Sequence, residues 1–222
     1  MTDAANARAR GQSGLDIVCE DESFVVVNKP SGLLSVPGRG PDKTDCVSNR
    51  VRQRYPGCIE QPAVHRLDMD TSGLLVVALN REAHRELSHQ FQRRATNKRY
   101  IGLLDGVLTA DRGTLRLPFR LDVDNRPMQI YDEVHGKRGI THWERLGGEG
   151  DVTRRAFVPV TGRTHQLRVH AAHERGLGIP IVGDPLYGRG TGPAQLKLHA
   201  AALGFLHPRT GEHGQFEVPP PF

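Results

Sequence analysis

Residues 65–73 place an aspartate where a carboxylate can do chemistry. Asp68 lies in a polar segment that ends at Gly73, between the apolar pair 63–64 and the apolar run 74–79. A loop between two β-rich runs holds its side chains rigidly at the edge of a sheet, where a substrate can reach them. A turn aspartate that only binds local backbone amides is the simpler interpretation, and Asp70 fits that role at least as well.

A second candidate is Arg163, at the start of a predicted helix over residues 165–175. Thr164 is the expected N-cap of this helix, and Gly176 is expected just after its end. A cation at a helix N-terminus opposes the helix dipole, so the position favours an arginine that binds a carboxylate or a phosphate. His165 and Arg168 fall on nearby turns of the same helix.

Other kinds of site are weakly supported. Zinc binding by His165, His170 and His173 is disfavoured, because a spacing of i, i+5, i+8 does not place three imidazoles on one narrow helix face. The chain contains no His-Glu-x-x-His, no phosphate-binding Walker loop and no Gly-x-Ser-x-Gly elbow. The sequence therefore predicts neither a metal nor a nucleotide cofactor.

The elements that must position these residues are mostly short β-type runs. Helices are predicted from residue 44 or 45 to about 55, over 81–94 and over 165–175. Strands are predicted at 16–19, 24–28, 100–107, several places between 113 and 160, 179–183, 198–206 and 215–218. Many strands without regular βαβ alternation predict an α+β fold with a mixed, mostly antiparallel central sheet and flanking helices. We expect a disordered tail over residues 1–14 and a single domain over 15–222.

Charge and composition narrow the choice of partner and compartment. The net charge is +5 and the pI is near 9.4, which favours a polyanionic partner. Aromatic residues are 5% of the chain, too few for extensive base stacking, so phosphate contacts and one pocket should dominate. Three cysteines without a Cys-x-x-Cys pair, and no apolar signal segment, favour a reducing cytoplasm.

The motif around Asp68 resembles the active-site signature of the RluA-type pseudouridine synthases, His-Arg-Leu-Asp-x-x-Thr-Ser-Gly. Further segments resemble the family in the family's order. They are residues 27–32, 98–100, 161–170, 178–184 and 198–200. The shortness of the chain and its segment Asn-Arg-Pro-Met-Gln at 125–129 are similar to small members that act on both tRNA anticodon stem-loops and 23S rRNA. The resemblance therefore implies that 15–222 is the catalytic domain, and we expect no separate RNA-binding domain.

The resemblance implies a reaction and a set of roles. Asp68 would be the nucleophile, attacking a flipped-out uridine at the ribose C1′ or the base C6. Arg163 would be a bidentate partner that keeps a partly buried carboxylate ionised. Tyr100 would stack on the uracil and could steer the C5 proton, although a strand tyrosine packed half into the core is the more frequent case. Leu198 would form an apolar wall of the pocket.

RNA contacts are expected from residues around these. The candidates are His65, Arg66, Thr71, Lys98, Arg99, His165 and Arg168, with the basic stretches 93–99, 126 and 137–138 on the backbone. Two alternatives remain open. A non-catalytic RNA-binding protein of the same fold would not need Asp68, and a glycoside hydrolase would need two separated carboxylates. The expected protein is a monomer without a membrane anchor.

Overall fold

The computed structural model describes residues 14–222, so all of the predicted tail except Gly14 lies outside the described residues. In chain order the elements are β1 (Asp16–Glu20), β2 (Phe24–Lys29), a short 3-10 turn (Pro41–Lys43), α1 (Val47–Arg54), β3 (Ser72–Ala78), α2 (Arg81–Arg93), β4 (Asn97–Leu104), β5 (Arg112–Leu121), β6 (Gln129–Tyr131), β7 (Lys137–Glu149), β8 (Val152–Pro159), α3 (Gln166–Ala172), β9 (Leu198–Leu206) and β10 (His213–Glu217). Within the described residues these elements form two compact units, 14–97 with 200–220, and 98–199 with 221–222.

The first unit contains β1, β2 and β3 paired side by side, with β9 next to β3 and β10 next to β9. All seven residues of β3 are buried, because this strand runs through the centre of the unit. Its core joins apolar side chains of β2, β3, α2 and β9: Phe24, Val26, Leu74, Val76, Ala78, Ala83, Leu87, Leu203 and Phe205. The loop that carries Asp68 leads directly into β3 and is therefore attached to the most buried strand of this unit.

The second unit is built from the strand order β4-β8-β7-β5-β6, and every neighbouring pair is antiparallel. Helix α3 packs against this sheet through buried Leu167 and Ala171. The same core cluster contains Leu104, Leu115, Trp143, Phe157, Ile181, Leu196 and Leu198, and a second, smaller cluster contains Leu117, Phe119 and Val169. The strand pairs confirm the mixed, mostly antiparallel α+β class that was predicted.

Several predicted elements need correction: β4 is shifted from 100–107 to Asn97–Leu104, and α3 ends at Ala172 rather than at 175. Helix α1 begins after Cys46, whose sulfur accepts from the Asn49 N–H at 3.5 Å, rather than at residue 44 or 45. Helix α3 begins after His165, which has a left-handed φ of 56° and no side-chain cap bond, so Thr164 is not its N-cap. Residues 179–183 contain a single bridge at Ile181 and no strand. By contrast, α2 begins at the predicted residue 81, and the Asn80 side chain caps it by accepting from Ala83 N–H at 2.9 Å.

Candidate active site

The loop that carries Asp68 is held by hydrogen bonds at both ends. The buried Ser35 hydroxyl donates to Leu67 O at 2.7 Å, and the hydroxyl oxygen Oγ of Ser35 accepts from Leu67 N–H at 3.0 Å. Thr71 N–H donates to Asp68 O at 3.1 Å and closes a tight turn. Gly73 ends the loop with φ of 109°, and a Cβ there would lie 2.4 Å from Ala200 O, so only glycine fits. The backbone of Asp68 is therefore fixed by the protein itself.

Lys29 is the centre of this support, and it is fully buried. Its ammonium donates to the carbonyl oxygens of Pro30 at 2.9 Å, Leu33 at 2.7 Å and Met69 at 2.8 Å. Burial lowers the pKa of Lys29 to about 7, against the raising effect of the carboxylates of Asp68 and Asp70. Sequence reasoning assigned no role to this lysine, although the resemblance already included the segment around it.

The two carboxylates of the loop differ in exposure. Asp70 is 7% exposed and Asp68 is half-buried. The Ser31 hydroxyl donates to Asp70 O at 2.6 Å, so the backbone of Asp70 is also bound from the 29–35 segment. Burial fits Asp70 for the structural role of a turn aspartate, and partial exposure fits Asp68 for contact with a substrate.

The neighbours of Asp68 in the motif have unequal access to solvent. His65 stacks on Phe91 with ring centroids 4.2 Å apart, and its Nε2 accepts from Val76 N–H at 3.1 Å. These contacts give His65 a role in attaching the loop to β3 and α2. Thr71 is buried at 3% exposure, which argues against the predicted RNA contact. Arg66 is exposed and stays a predicted RNA contact.

Replacing Lys29 with methionine is expected to lower activity at least about tenfold, because the loop loses the donor that joins Met69 O to Pro30 O and Leu33 O.

The stability that Lys29 contributes to the wild type should also depend on pH in a defined direction. A pKa near 7 in the folded state and 10.5 in the unfolded state means that the unfolded chain binds more protons between these values. The free energy of unfolding of the wild type, relative to that of Lys29→Met, should thus increase from pH 7 to 9, by at most about 1.4 kcal/mol per pH unit. Urea unfolding at several pH values tests this, and a pH-independent difference would contradict it.

Tyr100 lies on β4 opposite Phe157 of β8. Its ring packs at the margin of the apolar core of the second unit, and it is half-buried. Successive residues of a strand point to opposite faces, so Lys98 shares the face of Tyr100 and Arg99 does not. The Arg99 guanidinium lies 3.5 Å from Glu144. The basic pair 98–99 is therefore divided between two faces of the sheet.

Arg163 is exposed, and its turn is fixed by Gln166. The buried Gln166 Oε1 accepts from Arg163 N–H at 3.1 Å and from the Thr161 hydroxyl at 2.6 Å. Its Nε2 donates to Ile140 O and to the Thr141 hydroxyl, both at 3.0 Å. These bonds join the turn to strand β7. The polar network explains how an arginine can be presented to solvent on a rigid backbone.

Arg168 has a different place from the one predicted. It is 2% exposed, and its guanidinium binds the buried Asp184 carboxylate twice, at 2.8 and 2.6 Å. Asp184 also accepts from the N–H groups of Leu186 and Tyr187. Burial by itself would raise the pKa of Asp184, but the hydrogen bonds and charge of Arg168 lower it. This bidentate pair argues against a role for Arg168 as an RNA contact.

His165, also predicted as an RNA contact, is 8% exposed and joined to Tyr187. Its Nδ1 lies 2.8 Å from the Tyr187 hydroxyl, which also accepts from Gln129 N–H at 2.8 Å. The ring of Tyr187 lies 5.3 Å from the Arg168 guanidinium carbon. Tyr187 therefore connects the start of α3 with strand β6.

His170 is buried against Thr141, and burial lowers its pKa to about 4, so this histidine stays neutral inside the fold.

Removing the hydroxyl in Tyr187→Phe is expected to destabilise the protein by about 1–3 kcal/mol, because Gln129 N–H and His165 Nδ1 lose a shared partner. Tyr131→Phe is the matched control, since the ring of Tyr131 packs on His173 and its hydroxyl has no hydrogen bond within the described residues. The control should change stability by less than about 0.5 kcal/mol. Equal losses in the two variants, measured by urea unfolding, would contradict the role of the hydroxyl.

Leu198 begins β9 at 2% exposure and belongs to the apolar core of the second unit. Of the predicted catalytic and pocket residues, Asp68 is in the first unit, and Tyr100, Arg163 and Leu198 are in the second. Asp68 precedes the buried strand β3, Tyr100 and Leu198 lie on strands β4 and β9, and the backbone N–H of Arg163 is bound by Gln166. No helix within residues 14–222 has the length and apolar character needed to cross a bilayer.

Comparison with known proteins identifies the class. A family model described as RNA pseudouridylate synthase matches residues 23–173. The chain therefore belongs to the RNA pseudouridylate synthase family, a class of isomerases.

Particular relatives are similar over almost the whole chain. The dual-specificity RNA pseudouridine synthase RluA of Pasteurella multocida is 46% identical over 212 residues, covering 94% of each chain. The protein of the same name from Escherichia coli is 42% identical over 213 residues, again covering 94% of each chain. The structure of human RNA pseudouridylate synthase domain containing 1 is 32% identical with a TM-score of 0.73, covering 94% of this chain and 84% of the other.

Proposed function

We propose that this protein converts specific uridines to pseudouridine in the tRNA anticodon stem-loop, in 23S rRNA, or in both, with Asp68 as the nucleophile. The observation that carries the proposal is the half-buried Asp68 on a backbone fixed by Lys29 and Ser35, within a chain of this family. The dual substrate range rests on the names of the bacterial relatives.

The reaction is an isomerisation, so the proposal includes no oxidant, reductant, metal or other cofactor. The Asp68 carboxylate adds to the ribose C1′ or to the base C6, and the bond between N1 and C1′ breaks. A bond then forms between C5 and C1′, and the bond between Asp68 and the nucleoside breaks, which restores the free carboxylate. The C5 proton leaves to solvent, and N1 ends with a proton. In this proposal Tyr100 stacks on the uracil, Leu198 forms an apolar wall, and Arg163 supports the charged carboxylate.

The target uridine has to leave its stack before the carboxylate can reach it, which costs a few kcal/mol and least in loops. Exposed Arg66, two residues before the nucleophile, is the candidate that holds the flanking phosphates or fills the gap. Lys98, on the face of Tyr100, is the second candidate. We further propose that the protein acts as a monomer in the cytoplasm, where its RNA substrates lie.

Tritium release tests the reaction. A tRNA transcript and a 23S rRNA fragment, each labelled with tritium at uracil C5, are incubated with the wild-type protein, and tritium in water is counted. Release from one or both RNAs supports the proposed chemistry and gives the substrate range. Binding of both RNAs without any release would favour the non-catalytic alternative, and cleavage of glycosides without RNA binding would favour a hydrolase.

A further inference from the structure

One face of the second unit's sheet carries arginines that the proposed reaction does not use. Strand β5 alternates exposed Arg112, Thr114 and Arg116 with Gly113 and buried Leu115. Alternation places the arginines on the face opposite to the core. Strand β7 adds exposed Arg138, which shares this face because its neighbour Gly139 is buried. We call Arg112, Arg116 and Arg138 the arginine face.

The arginine face points away from Tyr100. Tyr100 is opposite Phe157, Phe157 is opposite Trp143, and Trp143 is opposite Gly113 across the paired strands β4, β8, β7 and β5. These residues share the core side of the sheet. On strand β5, Arg112 is next to Gly113 and Arg116 is three residues after it. Because side chains alternate between the two faces along a strand, both arginines lie on the other side of the sheet from Tyr100.

The charges on the arginine face are poorly neutralised. Arg116 is opposite Ile140, and Arg138 is opposite Pro118, so the two arginines are diagonal neighbours across β5 and β7. Among the described residues neither has a carboxylate within 4 Å. Glu144 lies opposite Arg112 in the register and also pairs with Arg99, and Asp132 pairs with Arg120. Arg116 and Arg138 are therefore the members of the arginine face that lack a carboxylate partner within the described residues. Like charges that are close across a sheet are destabilising unless a ligand neutralises them.

We propose that the arginine face binds the phosphate backbone of the RNA substrate, outside the nucleotides that enter the catalytic site. This inference rests on the proposed function, which supplies a polyanion as the natural partner. Arg112 and Arg116 are four residues apart on one strand, about 13 Å, which suits successive backbone contacts rather than one small anion. Between the arginines, the Thr114 hydroxyl and His142 Nδ1 are 2.8 Å apart and add polar groups for ribose or phosphate.

The test is the salt dependence of RNA binding. Kd for a tRNA transcript is measured from about 50 to 200 mM salt for the wild type and for Arg116→Gln/Arg138→Gln. Loss of two phosphate contacts should reduce the magnitude of the slope of log association constant against log salt concentration by about 1.4–1.8. The wild type should therefore lose about tenfold more affinity than the variant over this range. Both replaced side chains are exposed, and a thermal unfolding temperature no lower than that of the wild type checks that the variant is folded.

A control variant removes the same charge elsewhere. Arg52→Gln/Arg209→Gln replaces two exposed arginines of the first unit and should leave the slope close to that of the wild type. Equal slopes for wild type and the arginine-face variant would overturn the inference, as would an equal reduction in the control. Failure of the proposed function is distinguishable, because it appears as absent tritium release by the wild type while the binding comparison still stands.

Discussion

Asp68→Asn is expected to lower pseudouridine formation by about a thousandfold or more, with RNA affinity nearly unchanged. An amide has the shape of the carboxylate but cannot supply the anionic oxygen that attacks the uridine. The loop should keep its position, because its bonds from Lys29, Ser35 and Thr71 involve backbone atoms rather than the Asp68 side chain. Single-turnover tritium release from the tRNA transcript, with excess protein, measures the chemical step separately from binding.

Asp70→Asn is the matched control for this experiment. Asp70 lies two residues away and is buried, where its charge acts on Lys29. We expect the Asp70 variant to lose stability and to retain measurable single-turnover chemistry. The reverse pattern, with Asp68→Asn retaining more than a tenth of the activity and Asp70→Asn inactive, would move the nucleophile to Asp70.

Local sequence signals made Asp68 and Arg163 candidates and predicted helix α2, for physical reasons that need few distant contacts. The role of Asp68 as the nucleophile came from the resemblance of its motif and stays a prediction. A polar loop before an apolar strand is local, and so is the Asn80 cap with apolar residues on one helix face. Arg163 was selected because a cation opposes the dipole at the start of α3, and it is indeed exposed there. Such features depend on neighbours within a few positions of the chain.

The roles of Lys29 and Arg168 could not be predicted in this way. Lys29 becomes significant only when Met69, 40 residues later, brings its carbonyl oxygen to the ammonium. Arg168 lies near Arg163 in a basic part of the sequence, where a contact with RNA is an equally reasonable prediction. Only the folded chain brings Asp184, 16 residues away, against its guanidinium. Burial of a charge is set by tertiary packing, so the sequence alone gave no reason to prefer an ion pair over a phosphate contact.

The start of α3 is a third feature that the sequence did not predict correctly. Thr164 is a good N-cap by residue type, yet His165 occupies the cap position with a left-handed backbone. Tyr187 lies 22 residues further along the chain, and its hydroxyl meets His165 Nδ1. This contact comes from a distant residue and is compatible with a conformation that is uncommon for a residue with a Cβ.

Breaking the buried pair is expected to destabilise the fold by about 3–5 kcal/mol in either Arg168→Met or Asp184→Asn, because each change leaves the other partner uncompensated. Asparagine can still accept from Leu186 and Tyr187 N–H through Oδ1, so Asp184→Asn removes mainly the charge. Asp184 has a lowered pKa in the folded state, so its contribution is present above its unfolded pKa of about 3.8 and is lost as the pH falls through the lower folded value.

A double-mutant cycle separates this ion pair from an RNA contact. Arg168→Met/Asp184→Asn should be destabilised by less than the sum of the single variants, by about 1 kcal/mol or more, since neither charge is then left alone. Urea unfolding of the four proteins at pH 7 gives the coupling free energy directly. An RNA contact predicts the opposite result, in which Arg168→Met weakens tRNA binding while its stability equals that of the wild type. Because the guanidinium is 2% exposed and both carboxylate oxygens already bind it, we expect the loss to appear in unfolding.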